Sequence, residues 1–206
     1  LLFVPFGLAD PAEIVRSRRA QLHAGIEFRL ADVDRVETAE SAVVLAGEER
    51  IPYDVLVVAT GAALAPEETE GLTGPGWGER IFTFYELDSA TALRDALRGF
   101  DRGRLVVNPV ELPIKCPVAP LEFCFLADWY FHERGIRDRV QITYVTPLDG
   151  AFTKPVASRQ LSGMLAEKGI ELVTEFNTGE VAGAGGRLVG DDAHGGLHVA
   201  AARERA

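Results

Sequence analysis

Between Gly103 and Gly135 the sequence contains no glycine, although RLVVNP (104–109) and the stretch that follows it have the patterning of a strand, a turn and a helix. A βα turn that binds a dinucleotide needs glycines, so that the backbone can approach the pyrophosphate, and free N–H groups at the helix start. Here Asn108, Pro109, Val110 and Glu111 open the turn. Pro117 and Pro120 each remove an N–H, and Glu111 adds a negative charge. The acidic residue that would hold a ribose is missing too. ITYVT ends in Thr146 and Pro147, and Asp149 comes three residues late. These absences argue against NAD(P) binding.

Other shortages exclude other classes. Lys and Arg number 21 against 31 Asp and Glu, a net charge of −10. That balance excludes a nucleic-acid surface, which needs concentrated basic charge. Apolar runs such as VLVVATGAALA (55–65) fall well short of the roughly 20 residues of a membrane-spanning helix. Two cysteines, Cys116 and Cys124, make no disulfide framework and no zinc motif. Of four scattered histidines, His194 and His198 are i,i+4, but the glycines of DDAHGGLHVA place them in a surface loop rather than a metal-binding helix. The chain starts LLFVPFGLADP, without a leading Met or a signal peptide, and reads as a fragment or an excised domain.

What is present is ordinary for a globular protein, 47% apolar and 25% charged. The apolar period of 11–25 predicts a helix with Ile14, Val15 and Leu22 inward, ending at Gly25. Short alternating runs predict strands at 26–30, 34–38 and 41–47, a β-meander leading into a fully buried strand, YDVLVVATG (53–61). Residues 62–79, rich in Gly and Pro, form a linker. Beyond it the pattern alternates. Strands are expected at 80–85, 104–107, 140–146 and 170–176, with helices at 87–100 (capped by Asp88), 120–134 and 155–169. That order means βαβ units and a parallel sheet, followed by a Gly-rich tail with the makings of a hairpin.

The chemistry concentrates at IKCPVAP (114–120). Residues before proline avoid the α region, so Cys116 and Ala119 should be extended and the helix should begin at Pro120. Cys116 would then stand ahead of a helix N-terminus beside Lys115, where dipole and cation both favour the thiolate. Glu122, in the first helical turn, either shuttles a proton or complements the dipole. The plain alternative for Cys116 is a buried, inert cysteine. For Cys124, on the apolar stripe of Phe123, Leu126, Ala127 and Tyr130, packing is the better reading.

YDVLVVATG followed by a second βαβ unit resembles the flavoprotein disulfide reductase superfamily, the FAD-dependent pyridine nucleotide-disulfide oxidoreductases. KCPVAPLEFCFLADWYFHERGIRDRVQITYVTP and KPVAS with GMLAEKGIEL narrow the likeness to the sulfide:quinone oxidoreductases and the flavoprotein subunit of flavocytochrome c sulfide dehydrogenases. It covers nearly all of residues 3–182. The resemblance implies an α/β, three-layer Rossmann-like (FAD/NAD(P)-binding) parallel-sheet domain over 80–206 with a degenerate phosphate turn. Residues 1–79 would then be a partial FAD-binding domain and linker, lacking the family's GxGxxG segment and its C-terminal part.

It further implies a flavin-dependent oxidoreductase acting on sulfide or a related sulfur species. Cys116 would be one of two redox thiols passing electrons to FAD and on to a quinone or cytochrome. Asp32 and Val33 would meet the adenine, Ala59, Thr60 and Gly61 would close the FAD strand, and Pro5 of FVPF would lie near the isoalloxazine. Peripheral attachment to the inner face of a membrane and a homodimer stay open. So do two alternatives, an NAD(P)H-dependent flavoprotein reductase (type II NADH dehydrogenase or ferredoxin reductase-like) and a non-catalytic interaction domain.

Overall fold

A computed structural model describes residues 1–185, 187–192 and 197–201 of the chain. They form two compact units, residues 15–63 and residues 1–14 with those from 64 onward. A 3-10 turn (Val4–Phe6) and two one-turn helices, α1 (Pro11–Ile14) and α2 (Arg18–Gln21), come first. An antiparallel meander of β1 (Val33–Glu37), β2 (Ala42–Leu45) and β3 (Arg50–Pro52) makes up the regular part of the 15–63 unit. Its surface carries charge: Arg35 pairs with Asp34, Glu37 and Glu48, and Arg50 pairs with Glu37.

The larger unit is α/β, of Rossmann type. After α3 (Leu87–Gly99) the order is β4 (Gly103–Val107), α4 (Ala119–Glu133), β5 (Val140–Val145), α5 (Pro155–Glu167) and β6 (Glu171–Val173). The three strands are parallel in the order β4-β5-β6. Central β5 lies between β4 and β6, and every residue from Ile142 to Val145 is buried, Thr143 with its hydroxyl on Glu171. Helix α4 contributes Leu121, Phe123, Cys124, Ala127 and Phe131 to the same core.

Both α4 and α5 end in the same way. Gly135 and Gly169 take φ of +63° and +61°. The following isoleucines, Ile136 and Ile170, are buried and donate their N–H to Phe131 and Leu165. This is the Schellman arrangement, in which a left-handed glycine satisfies the last carbonyls and an apolar residue turns back under the helix. Beyond β6, β7 (Phe176–Ala182), β8 (Arg187–Asp192) and β9 (Leu197–Ala201) form an antiparallel sheet, with the expected hairpin at β7–β8. His198 falls on β9, not in a loop; His194 lies outside the described residues.

Six further sequence expectations need correction. The 11–25 helix breaks at Ser17, which is extended, and Val15 is 62% exposed: a short amphipathic stripe with nothing to cover it does not hold a helix. Residues 26–30 and 53–61 form no strand, and Val55, Val57 and Val58 lie 71% or more exposed, because no strand among the described residues flanks them. Segment 80–85 makes no ladder either. Thr83 donates its N–H to Ser89 Oγ and Tyr85 to Thr83 Oγ1, so side chains take the bonds a neighbouring strand would take. Glu86, not Asp88, precedes α3, which has no side-chain cap. Finally, the expected 170–176 strand ends at Val173, and Phe176 begins the next sheet.

Candidate functional site: the turn between β4 and α4

The turn leaves the sheet at Asn108, whose amide is held on three sides. Asn108 Nδ2 donates to the carbonyls of Pro109 and Val145, and Thr178 Oγ1 donates to Asn108 Oδ1 at 2.9 Å. One side chain thus fixes the end of β4 to β5 and β7. The chain then passes a cis Leu112–Pro113 peptide and reaches Lys115 and Cys116, both exposed. A cavity of about 440 Å3 opens beside it, with Phe82, Phe84, Val106 and Phe123 among its apolar walls and Asn108 and Glu111 among its polar members.

Cys116 does not adopt the expected extended backbone. Its φ is +56°, in the left-handed region, which for a residue with a Cβ costs on the order of 1–3 kcal/mol. The proline that follows still shuts out the right-handed α region, and two hydrogen bonds hold the alternative in place. The Cys116 carbonyl accepts the Ala119 N–H at 3.1 Å and the Tyr85 hydroxyl at 3.3 Å. Because Ala119 is turned in by that bond it is the first residue of α4, not an extended linker, and Pro120 is the second.

The head of α4 has few amides left for an anion. Pro117 and Pro120 have none, Ala119 is bonded to Cys116, and Leu121 and Glu122 both donate to the Val118 carbonyl, at 3.0 and 3.1 Å. Glu122 is exposed in the first turn. At the next strand end, Thr146 is buried, its N–H on Val173 and its Oγ1 accepting from Leu148, while Asp149 is exposed.

Tyr85 draws these groups together. Its ring stacks on Phe84 (centroids 4.7 Å apart), Phe84 on Phe123 of α4 (4.9 Å), and Phe123 meets Phe6 (4.9 Å). Burial, then the charges of Cys116 and Glu122, push the Tyr85 hydroxyl up to about 12. The other cysteine is a different environment: Cys124 is fully buried, and burial alone pushes its thiol up. Among the described residues no cluster of His, Cys, Asp and Glu could hold a metal ion.

No protein-family model matches the chain. The mitochondrial sulfide:quinone oxidoreductase of Mus musculus is 25% identical over 167 residues, 81% of this chain and 37% of that protein. Its namesake from Dictyostelium discoideum is 27% identical over 145 residues, 70% of this chain and 32% of that protein. In three dimensions, the sulfide:quinone oxidoreductase of the hyperthermophilic bacterium Aquifex aeolicus matches 98% of this chain and 47% of its own, at a TM-score of 0.76 and 21% identity. The chain is a relative of the sulfide:quinone oxidoreductases. It spans about a third of the length of the curated relatives it matches.

Lys115 and Cys116 stand in the turn before α4, and Glu122 in the first turn of the helix. Asp32, Val33, Ala59, Thr60 and Gly61 belong to the other unit. There the Asp32 carbonyl is already occupied by the Ala46 N–H at 2.9 Å, and Ala59–Gly61 lies outside any sheet. Pro5 is fully buried in the turn that packs against α3, so its ring offers a cofactor no surface. Sequence reasoning missed Tyr85 and Asn108. Tyr85 sits in an irregular segment whose partner lies 31 residues away, and Asn108 only gains meaning once β4, β5 and β7 meet.

Proposed function

We propose that this chain is the thiol-bearing part of a flavin-dependent oxidoreductase acting on sulfide or a related small sulfur species, with Cys116 as the sulfur-handling residue. The observation that supports it most is an exposed cysteine held at positive φ at the head of a helix, where the same turn, with glycines, would cradle phosphate. An inert cysteine gives no reason to keep that backbone; the fully buried Cys124 shows what packing asks for instead.

Hydrosulfide attacks an S–S bond in which Cys116 is one partner. A new bond forms between the incoming sulfur and Cys116, the old S–S bond breaks, and the departing thiolate carries away the electron pair. Cys124, sealed in the core, is not the other partner. Lys115 stabilises the anionic sulfur beside it, and Glu122, exposed one turn on, can hold or release the proton of the incoming hydrosulfide. FAD would supply the two-electron acceptor, with Asp32, Val33 and the Ala59–Gly61 stretch as this chain's contribution to its site. A quinone or a cytochrome would take the electrons next. No helix among the described residues is long and apolar enough to cross a membrane. Peripheral attachment to the inner face of a membrane, cytoplasmic exposure of the turn and a homodimer all accord with this reading. The blocked amides at α4 and the buried Thr146 in place of a ribose-binding acid disfavour NAD(P)H as the donor.

The test is anaerobic flavin absorbance of the whole, flavin-loaded protein. Sulfide should bleach it or raise a long-wavelength band, and Cys116→Ser should abolish the response. Bleaching by NADH and not by sulfide would sink the proposal and return Cys116 to a structural role.

A further inference from the structure

We propose that Tyr85 is a positioning residue for Cys116: its hydroxyl locks the Cys116 peptide in the left-handed conformation that presents the thiol. The inference rests on the reading of Cys116 given above and adds a residue outside the turn. Three observations carry it. The hydroxyl donates to the Cys116 carbonyl itself, at 3.3 Å, and not to a neighbouring peptide. That carbonyl is also the acceptor for the first amide of α4, so its direction decides both where the helix starts and which way Cys116 faces. And Tyr85 is itself held, through Phe84, on Phe123 in the first turn of the same helix. The ring stack and the hydroxyl thus form a closed brace between segment 82–85, Cys116 and α4.

Left to local preference, a residue before proline relaxes to extended or polyproline geometry. Without the brace the Cys116 carbonyl is free to swing, the Ala119 N–H loses its acceptor for part of the time, and the thiol samples directions other than the one in the structure. With a hydroxyl that keeps its proton to about pH 12, the donor is present throughout the physiological range.

Tyr85→Phe keeps the ring stack and removes only the hydroxyl. Two readouts on the whole protein separate positioning from general stability: the rate at which iodoacetamide alkylates Cys116, followed peptide by peptide, and hydrogen exchange of the Ala119 amide. Alkylation in Tyr85→Phe should change about fivefold relative to wild type under native conditions and not at all in urea, the fold-change expected of one neutral hydrogen bond. Ala119 exchange should rise by a similar factor while the amides of β5 stay as they were. Equal alkylation and Ala119 exchange rates in the two proteins would overturn the proposal. So would a general loss of β5 protection, because the hydroxyl would then serve the fold and not the thiol. Iodoacetamide needs neither sulfide nor flavin, so a protein that ignores sulfide but shows the fivefold change refutes the functional reading alone.

Discussion

VQITYV (140–145) and YDVLVVATG (53–61) are both rich in valine and both patterned as buried strands, yet they end in opposite states. The first becomes β5, with β4 and β6 on its flanks and Ile142 and Val145 inaccessible to solvent. The second stays irregular, with Val55, Val57 and Val58 open to water. What separates them is the presence of neighbours, since strand propensity measures how well a side chain fits a pleated, half-covered surface. A run of valines states a demand for partners; it does not supply them.

The contrast is sharpest where burial involves charge. Asp128 on α4 is 1% exposed and accepts hydrogen bonds from Arg137 Nε at 2.7 Å and Lys168 Nζ at 2.9 Å. Asp128→Ala leaves the largely buried Arg137 without its carboxylate, while the more exposed Lys168 can turn to water, and should cost about 3 kcal/mol in urea unfolding. Arg35→Ala, in the surface network of the meander, should cost under about 1 kcal/mol. Burial alone would raise the Asp128 carboxyl, but the hydrogen bonds from Arg137 and Lys168 outweigh it and hold the group below the usual carboxylate range. Its contribution is therefore complete above the unfolded-state value of about 4 and is lost as pH falls through the lower folded value. A stability–pH profile of Asp128→Asn should be flatter than wild type on that acid limb.

Comparable in size is the core itself. Ile142→Ala should destabilise by about 2–5 kcal/mol, read as a shift in urea midpoint at constant slope. Gly135→Ala forces a Cβ into φ +63° and should cost about 1 kcal/mol. Smallest of all, Val57→Ala should move stability by no more than about 0.5 kcal/mol, with the amides of 54–60 exchanging far faster than those of β5. If Val57→Ala matched Ile142→Ala, the 53–61 run would have a partner and the comparison would collapse.

The same distinction explains what could be read in advance. The βαβ unit was legible because its signals are local and mutually consistent: an apolar strand, a helix closed by a glycine, then the next strand, with Gly135 and Gly169 marking both stops. The place of Lys115, Cys116 and Glu122 on one turn followed from the prolines. The left-handed state of Cys116 did not, since proline only forbids one region, and the choice among the rest was made by Tyr85 and Ala119. Nor could the sequence show that 80–85 would spend its amides on Thr83 and Ser89 side chains.

Asp128, Arg137 and Lys168 lie at the end of the α/β unit where α4 and α5 finish, and Arg137 also reaches the carbonyls of Val140, Lys168 and Gly169. The Cys116 turn lies at the opposite end, where α4 begins. The unit is thus riveted by charge at one pole and by the Asn108 amide and the Tyr85 hydroxyl at the other. The two sets of bonds sit at the two ends of one helix, so a change in the turn between Val107 and Ala119 leaves the Asp128 cluster in place.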